Sequence, residues 1–206
     1  MIVEQSTLDA LWDVDDPVGS EARLRQAIVD EPSPLCRREL RTQLARAFGL
    51  QGRFSEGHAI LDALDPDDPR VMVRVALERG RLHQSSGSPL EAARHFARAA
   101  ERSADDCDLV FLHVDALHML AIAEPDRAPE WTARGITVLA AVTDARTLRW
   151  HVDLRADLGR ARLDAGDLAG ARGAFEAAAE AAERYGTEEQ RRAVGEALAE
   201  VAAAGG

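Results

Sequence analysis

The stretch that most constrains the fold is LGRARLDAGDLAGARGAFEAAAEAAE, residues 158–183. Leu158 and Gly159 stand on an alanine-rich segment that breaks at Ala165-Gly166-Asp167. A second segment follows, with Ala171, Phe175 and Ala178 at steps of four and three. Such steps keep side chains on one face of a helix. Alanine is the strongest helix former, and small side chains let two helix backbones approach closely. The stretch therefore predicts a helical hairpin, with glycine at its turn and one phenylalanine packed where the helices meet.

The unit recurs. Small residues stand at Ala22, Gly57, Ala92, Ala133 and Ala171, at steps of 35, 35, 41 and 38. Gly87 and Phe96 flank Ala92 much as Gly166 and Phe175 flank Ala171, and Leu44-Ala45-x-x-Phe48 followed by Gly52 supplies the first helix and turn of an earlier copy. In AIAEPDRAPEW the turn carries Pro125 and Pro129, and Thr137 replaces the aromatic. The N-terminal copy is reduced to TLDALWD before Asp16-Pro17.

A Leu-Gly pair, a turn glycine and Ala-x3-aromatic together resemble the tetratricopeptide repeat, whose period is about 34 residues. Arg162 departs from it, standing where that family usually has an aromatic. Leu120 to Pro125 with Trp131 is also similar to a stretch of bacterial proteins of this class. The resemblance implies an all-α fold: a right-handed superhelix, or α-solenoid, of about five helix-turn-helix repeats in a single domain. The approximate units are 7–32, 34–66, 69–104, 107–143 and 146–185, followed by a capping helix over 187–203. The polar segment TEEQRRAVGEALAE suits the capping that solenoid ends require.

Local signals place about eleven helices and no strand. Thr7 is expected to cap a short first helix, and Asp16-Pro17 reads as an N-cap followed by proline at the first helical position. Pro34, Pro69, Pro89 and Pro129 also mark helix starts, where a missing N–H costs least. Gly52, Gly87 and Gly166 fall just past helix ends, suiting a left-handed cap. Thr187 with Gln190 forms a capping-box-like start for the last helix.

A net charge of -11 argues against nucleic acid or an anionic membrane as partner, since phosphate binding needs clustered cations. No apolar run reaches the length of a membrane span, and MIVEQSTLD lacks a basic-then-apolar leader, so a cytoplasmic location is expected. Cys36 and Cys107 fall in different units and read as structural thiols. All 25 cationic residues are arginine. Without lysine, Schiff-base and Walker-A chemistry are excluded. Nor does the chain hold an H-E-x-x-H, C-x-x-C or G-x-S-x-G pattern. No catalytic residue, metal or cofactor is therefore assigned.

Candidate binding residues come from the repeat register. Arg46, Arg81 and Arg160 each follow a paired small residue, Ala45, Gly80 and Gly159, while Ile122 interrupts the row. In the resembled family that position lines the concave groove. Arg74, on the same helix as Arg81, adds to the row. Guanidinium forks in register would suit a peptide or protein bearing acidic groups; the competing reading is that they balance intramolecular acids. His118 is the remaining groove candidate. With Asp115, Asp153 and Asp157 it could gather around a divalent cation, or those acids could pair with Arg149, Arg155 or Arg160. Trp12, Trp131 and Trp150 are expected to pack between neighbouring units, or to act as interface anchors where exposed. Function is accordingly expected to be non-catalytic binding of a peptide or protein segment in the groove. The alternative is a sensor of a ligand or peptide that acts on a partner protein.

Overall fold

The computed structural model describes residues 3, 5–65 and 67–205. It is all-helical, with no strand among the described residues. The chain divides into two compact units, residues 1–112 and 113–206. The first holds α1 (Gln5–Leu11), α2 (Pro17–Asp30), α3 (Pro34–Leu50), α4 (Phe54–Asp62), α5 (Pro69–Ser85) and α6 (Pro89–Ser103). The division falls within α7 (Val110–Ala123). The second unit continues with α8 (Ala128–Leu139), α9 (Ala145–Leu148), α10 (Trp150–Asp164), α11 (Leu168–Tyr185) and α12 (Glu188–Ala204). Short 3-10 turns at Cys107–Leu109 and Pro125–Arg127 precede α7 and α8. The helix beyond the expected eleven is the single turn α9, whose first backbone N–H groups are drawn in by Asp144, which accepts from the Thr147 amide and hydroxyl.

The helix starts follow from backbone chemistry. Asp16, Ser33 and Asp68 each accept a hydrogen bond from the first turn of the helix that follows, and a proline follows each of them. Gly52, Gly87 and Gly166 all have positive φ, between 73° and 80°. Each completes the same helix end: the residue after the glycine donates its N–H to a carbonyl five residues back, Arg53 to Phe48, Ser88 to His83 and Asp167 to Arg162. The glycine itself donates three residues back. That pair of bonds is the Schellman motif, which needs a left-handed residue where glycine stands. Thr187 and Gln190 form the complete reciprocal capping box. Thr7 behaves differently from expectation. It is the third residue of α1, which has already begun at Gln5, so it caps nothing.

Within the first unit α3 packs against α2, α4 and α5, and α5 against α6. Within the second, α10 packs against α8, α11 and α12. The hairpins α5–α6 and α10–α11 share one contact. A methyl group added to Gly80 would lie 2.3 Å from the Phe96 ring, and one on Gly159 would lie 2.7 Å from Phe175. In both, the phenylalanine stands 16 positions after the glycine and is at most 1% exposed. A side chain at the glycine would displace the ring, so each aromatic seats directly on the facing backbone. Cys36 is buried and Cys107 exposed; both are free thiols, so only the first fits the structural role expected of it.

Candidate functional site

The candidate site residues of the second unit lie on two helices, α7 and α10. α7 is apolar over most of its surface, burying Val114, Ala116, Leu117 and Leu120. Its exceptions include Asp115 and His118, with Ile122 four residues further on, and these steps of three and four place them along one face. On α10 the residues Asp153, Asp157, Arg160 and Asp164 recur at the same steps. The two faces meet where the His118 imidazole donates from Nε2 to Asp157 Oδ2 at 2.5 Å. The His118 side chain is 17% exposed and that of Asp157 43%. Trp150 lies beside the imidazole, ring centres 5.0 Å apart. From α12, Gln190 donates its amide to Asp153 Oδ1 at 2.8 Å, while its amide oxygen accepts from the Thr187 backbone. One glutamine thus closes a helix cap and holds a carboxylate of the cluster.

Two forces act on His118. Burial opposes its charging, but the hydrogen bond to Asp157 and the charges of Asp157, Asp115 and Asp153 outweigh it and hold the imidazole above its ordinary range. Asp153 is raised as well: burial lifts its carboxyl, only partly offset by Gln190 and His118, and the Asp157 charge adds to the lift. The cluster is therefore an imidazole biased toward its protonated form by the acids around it. Among the described residues no group of three or more His, Cys, Asp or Glu side chains is gathered so as to hold a metal ion.

A cavity of about 420 Å³ opens beside this cluster. Ala121, Ile122, Pro125 and Ala128 line it from one side, and Leu158 and Ala161 from α10. Its charged lining residues are Asp126, Asp157, Arg160 and Asp164. Ile122, 40% exposed, is one of the few large apolar side chains the chain leaves open to solvent.

The arginines of the expected groove row are engaged internally. Arg74 is buried 3.8 Å from Glu39, which is fully buried, and Arg70 lies 3.9 Å from the same carboxylate. Burial raises the Glu39 carboxyl against the pull of both guanidiniums. Arg81 donates to Glu78 at 2.8 Å. Arg46 stacks over the Trp12 ring at 5.2 Å, and Trp12 donates to Gln43 at 3.1 Å. In the second unit Arg160 pairs with Glu200 at 2.7 Å, both side chains about half exposed. Asp157 pairs with His118 and Asp153 with Gln190, while Arg160 pairs with Glu200 and Arg155 lies against the His151 ring. Of the indoles, Trp131 is buried and donates to Glu124 at 2.9 Å, while Trp12 and Trp150 are partly exposed.

Three further histidines meet, a grouping that sequence reasoning missed. In the first unit His83 of α5 stacks on His95 of α6 with centres 5.3 Å apart, and His58 of α4 lies 4.9 Å from His83. A signal was present. Gly57 faces Leu82 across the same interface, so the next residues along, His58 and His83, fall in the same 25-residue register. The cavity left no such trace, because its apolar lining reads as ordinary helix surface. Compared with protein-family models and with curated proteins, the chain matches none.

Proposed function

We propose that the chain is a non-catalytic binding module that holds a segment of another protein, its helix pairs acting as tetratricopeptide-like repeats of a right-handed solenoid. Support for the repeat reading comes from the construction shared by α5–α6 and α10–α11: the same turn, the same glycine–phenylalanine contact and the same spacing. Each repeat of such a fold buries its apolar stripe only against its neighbours, and successive first helices offer a continuous polar face to a ligand. The observation that carries the binding site is the open cavity between α7 and α10, with Ile122 exposed at its edge. An apolar anchor with polar groups at its rim is the usual make-up of an interface.

The reading is tested by panning a library of short random peptides on phage against the full chain. Sequences should enrich over an unrelated helical protein. The Ile122→Glu variant should bind the enriched peptides about tenfold more weakly, the loss of one apolar anchor. No enrichment, or enriched peptides indifferent to Ile122→Glu, would overturn the assignment of the site.

A further inference from the structure

We infer that the cavity between α7 and α10 receives the aliphatic stem and cationic head of a lysine or arginine side chain carried by the bound protein segment. The inference rests on the peptide-binding reading above and specifies the chemistry of its occupant. It reverses the charge that the arginine row led one to expect of a partner.

The argument is one of shape and charge. Ala121, Ile122, Leu158 and Ala161 provide apolar lining for a methylene stem, and long cationic side chains bury such stems while keeping the head near polar groups. Three carboxylates, Asp126, Asp157 and Asp164, line the same space. The one cation among the lining residues is Arg160, and it is held by Glu200 from α12. Asp126 and Asp164 are exposed and engage no arginine among the described residues. Asp157 gives only Oδ2 to His118, which leaves Oδ1 for a second donor. An acidic side chain placed here would meet three like charges, an arrangement that interfaces use to exclude a partner. A net charge of -11 adds a long-range field of the same sign, which draws cations in.

The same phage library tests this separately from the peptide-binding reading. Pools selected on the native chain should show an excess of lysine or arginine at one position. Pools selected on the double variant Asp126→Asn, Asp164→Asn should lose it. Both positions are exposed, so the variant should melt with the native chain. One enriched peptide is then synthesised with that residue or with norleucine, which keeps the stem and removes the charge. Norleucine should weaken binding to the native chain about three- to tenfold and leave binding to the double variant unchanged, as expected for a solvent-accessible charge pair. Cadaverine alone, at the concentration of the peptide, should not displace it. A pool without basic residues, or a basic excess that persists on the double variant, overturns the charge assignment and leaves peptide binding standing. Full displacement by cadaverine would make the cavity a free-amine site and also overturn it. Absence of any enriched pool overturns both readings together.

Discussion

In residues 1–112 three imidazoles, those of His58, His83 and His95, lie ring against ring with no carboxylate hydrogen-bonded to any of them among the described residues. In residues 113–206 a single imidazole, His118, lies against Asp157 and within the field of Asp115 and Asp153. Burial acts on both sets in the same sense, since it disfavours the charged ring. For His95 nothing opposes it sufficiently: burial, then the fields of His83, Arg98 and Arg79, push the group down to about 4 against the weak pull of Glu91. His58 is lowered by the same kinds of force, burial first and then His83 and Arg79, with only Asp62 opposing. For His118 the carboxylates win. His58 and His95 are thus pushed down and His118 up, although burial acts on all three in the same sense. Burial alone does not decide the state of a buried ring; the sign of its neighbours does.

The largest effects should come from what the two units share. Phe96→Ala and Phe175→Ala each remove a ring that is at most 1% exposed and seated on a facing glycine. Each should cost roughly 3 to 5 kcal/mol in urea melts, because neither backbone can close the gap left behind. A loss well under 1 kcal/mol for one of them would break the equivalence of the hairpins, and with it the repeat reading of that unit.

That equivalence is legible in the sequence. Gly80 and Phe96, and Gly159 and Phe175, repeat one spacing, and the turn glycines announce their positive φ by standing just past helix ends. Legibility stopped at partner choice. The arginine row was drawn from register, but register says only which helix faces lie near one another. Glu39 stands 35 positions before Arg74, one repeat step, so the pair of Arg74 with a buried carboxylate was open to discovery in the sequence. The pairing of His118 with Asp157, and of Asp153 with Gln190, depends on rotamers and on where α12 returns, neither of which a spacing encodes. Thr7 failed for a simpler reason. A residue that suits an N-cap also survives inside a helix, and propensity alone does not set a boundary.

The contrast between histidines sharpens into a pH experiment. Proton NMR of the imidazole Cε1–H signals should show His118 losing its proton above the ordinary histidine range, and His95 gaining one only near about 4. Stability then follows with opposite signs. His118 has a folded value above its unfolded one, so its contribution is complete below about pH 6.5 and lost as pH rises through the folded value. His95 has a folded value below its unfolded one, so stability falls as pH drops from about 6.5 toward about 4. Urea melts of the native chain, His118→Gln and His95→Gln across this range subtract the carboxylates common to all three. The deficit of His118→Gln should shrink in alkali. His95→Gln should gain about 1 to 2 kcal/mol on the native chain between pH 7 and pH 4.5, a figure already discounted for solvent screening of a partly exposed ring. A His118 signal that titrates at or below the ordinary value would remove the contrast.

The smallest effect separates two arginines at one register position. Arg81 and Arg160 each follow the glycine that seats a phenylalanine, Gly80 and Gly159. Their partners differ in exposure. Arg81 donates to Glu78, whose side chain is 2% exposed, while Arg160 reaches Glu200, whose side chain is 53% exposed. Removing Arg81 strands a carboxylate that water scarcely reaches, whereas removing Arg160 leaves Glu200 to be solvated. Arg81→Ala should therefore cost about 1 to 2 kcal/mol and Arg160→Ala well under 1 kcal/mol in urea melts at neutral pH. Added salt should erase much of the Arg160 effect and little of the Arg81 effect, since screening acts through solvent. Equal losses at the two positions would mean that Arg160 is held as firmly as Arg81. In that case its guanidinium would contribute chiefly by lying over the Phe175 ring, 5.8 Å from the centroid, and not by its pair with Glu200. The cavity beside it would then keep a fixed cation among its three carboxylates whether or not Glu200 is present, and Glu200→Gln would leave both stability and the arginine's position unchanged.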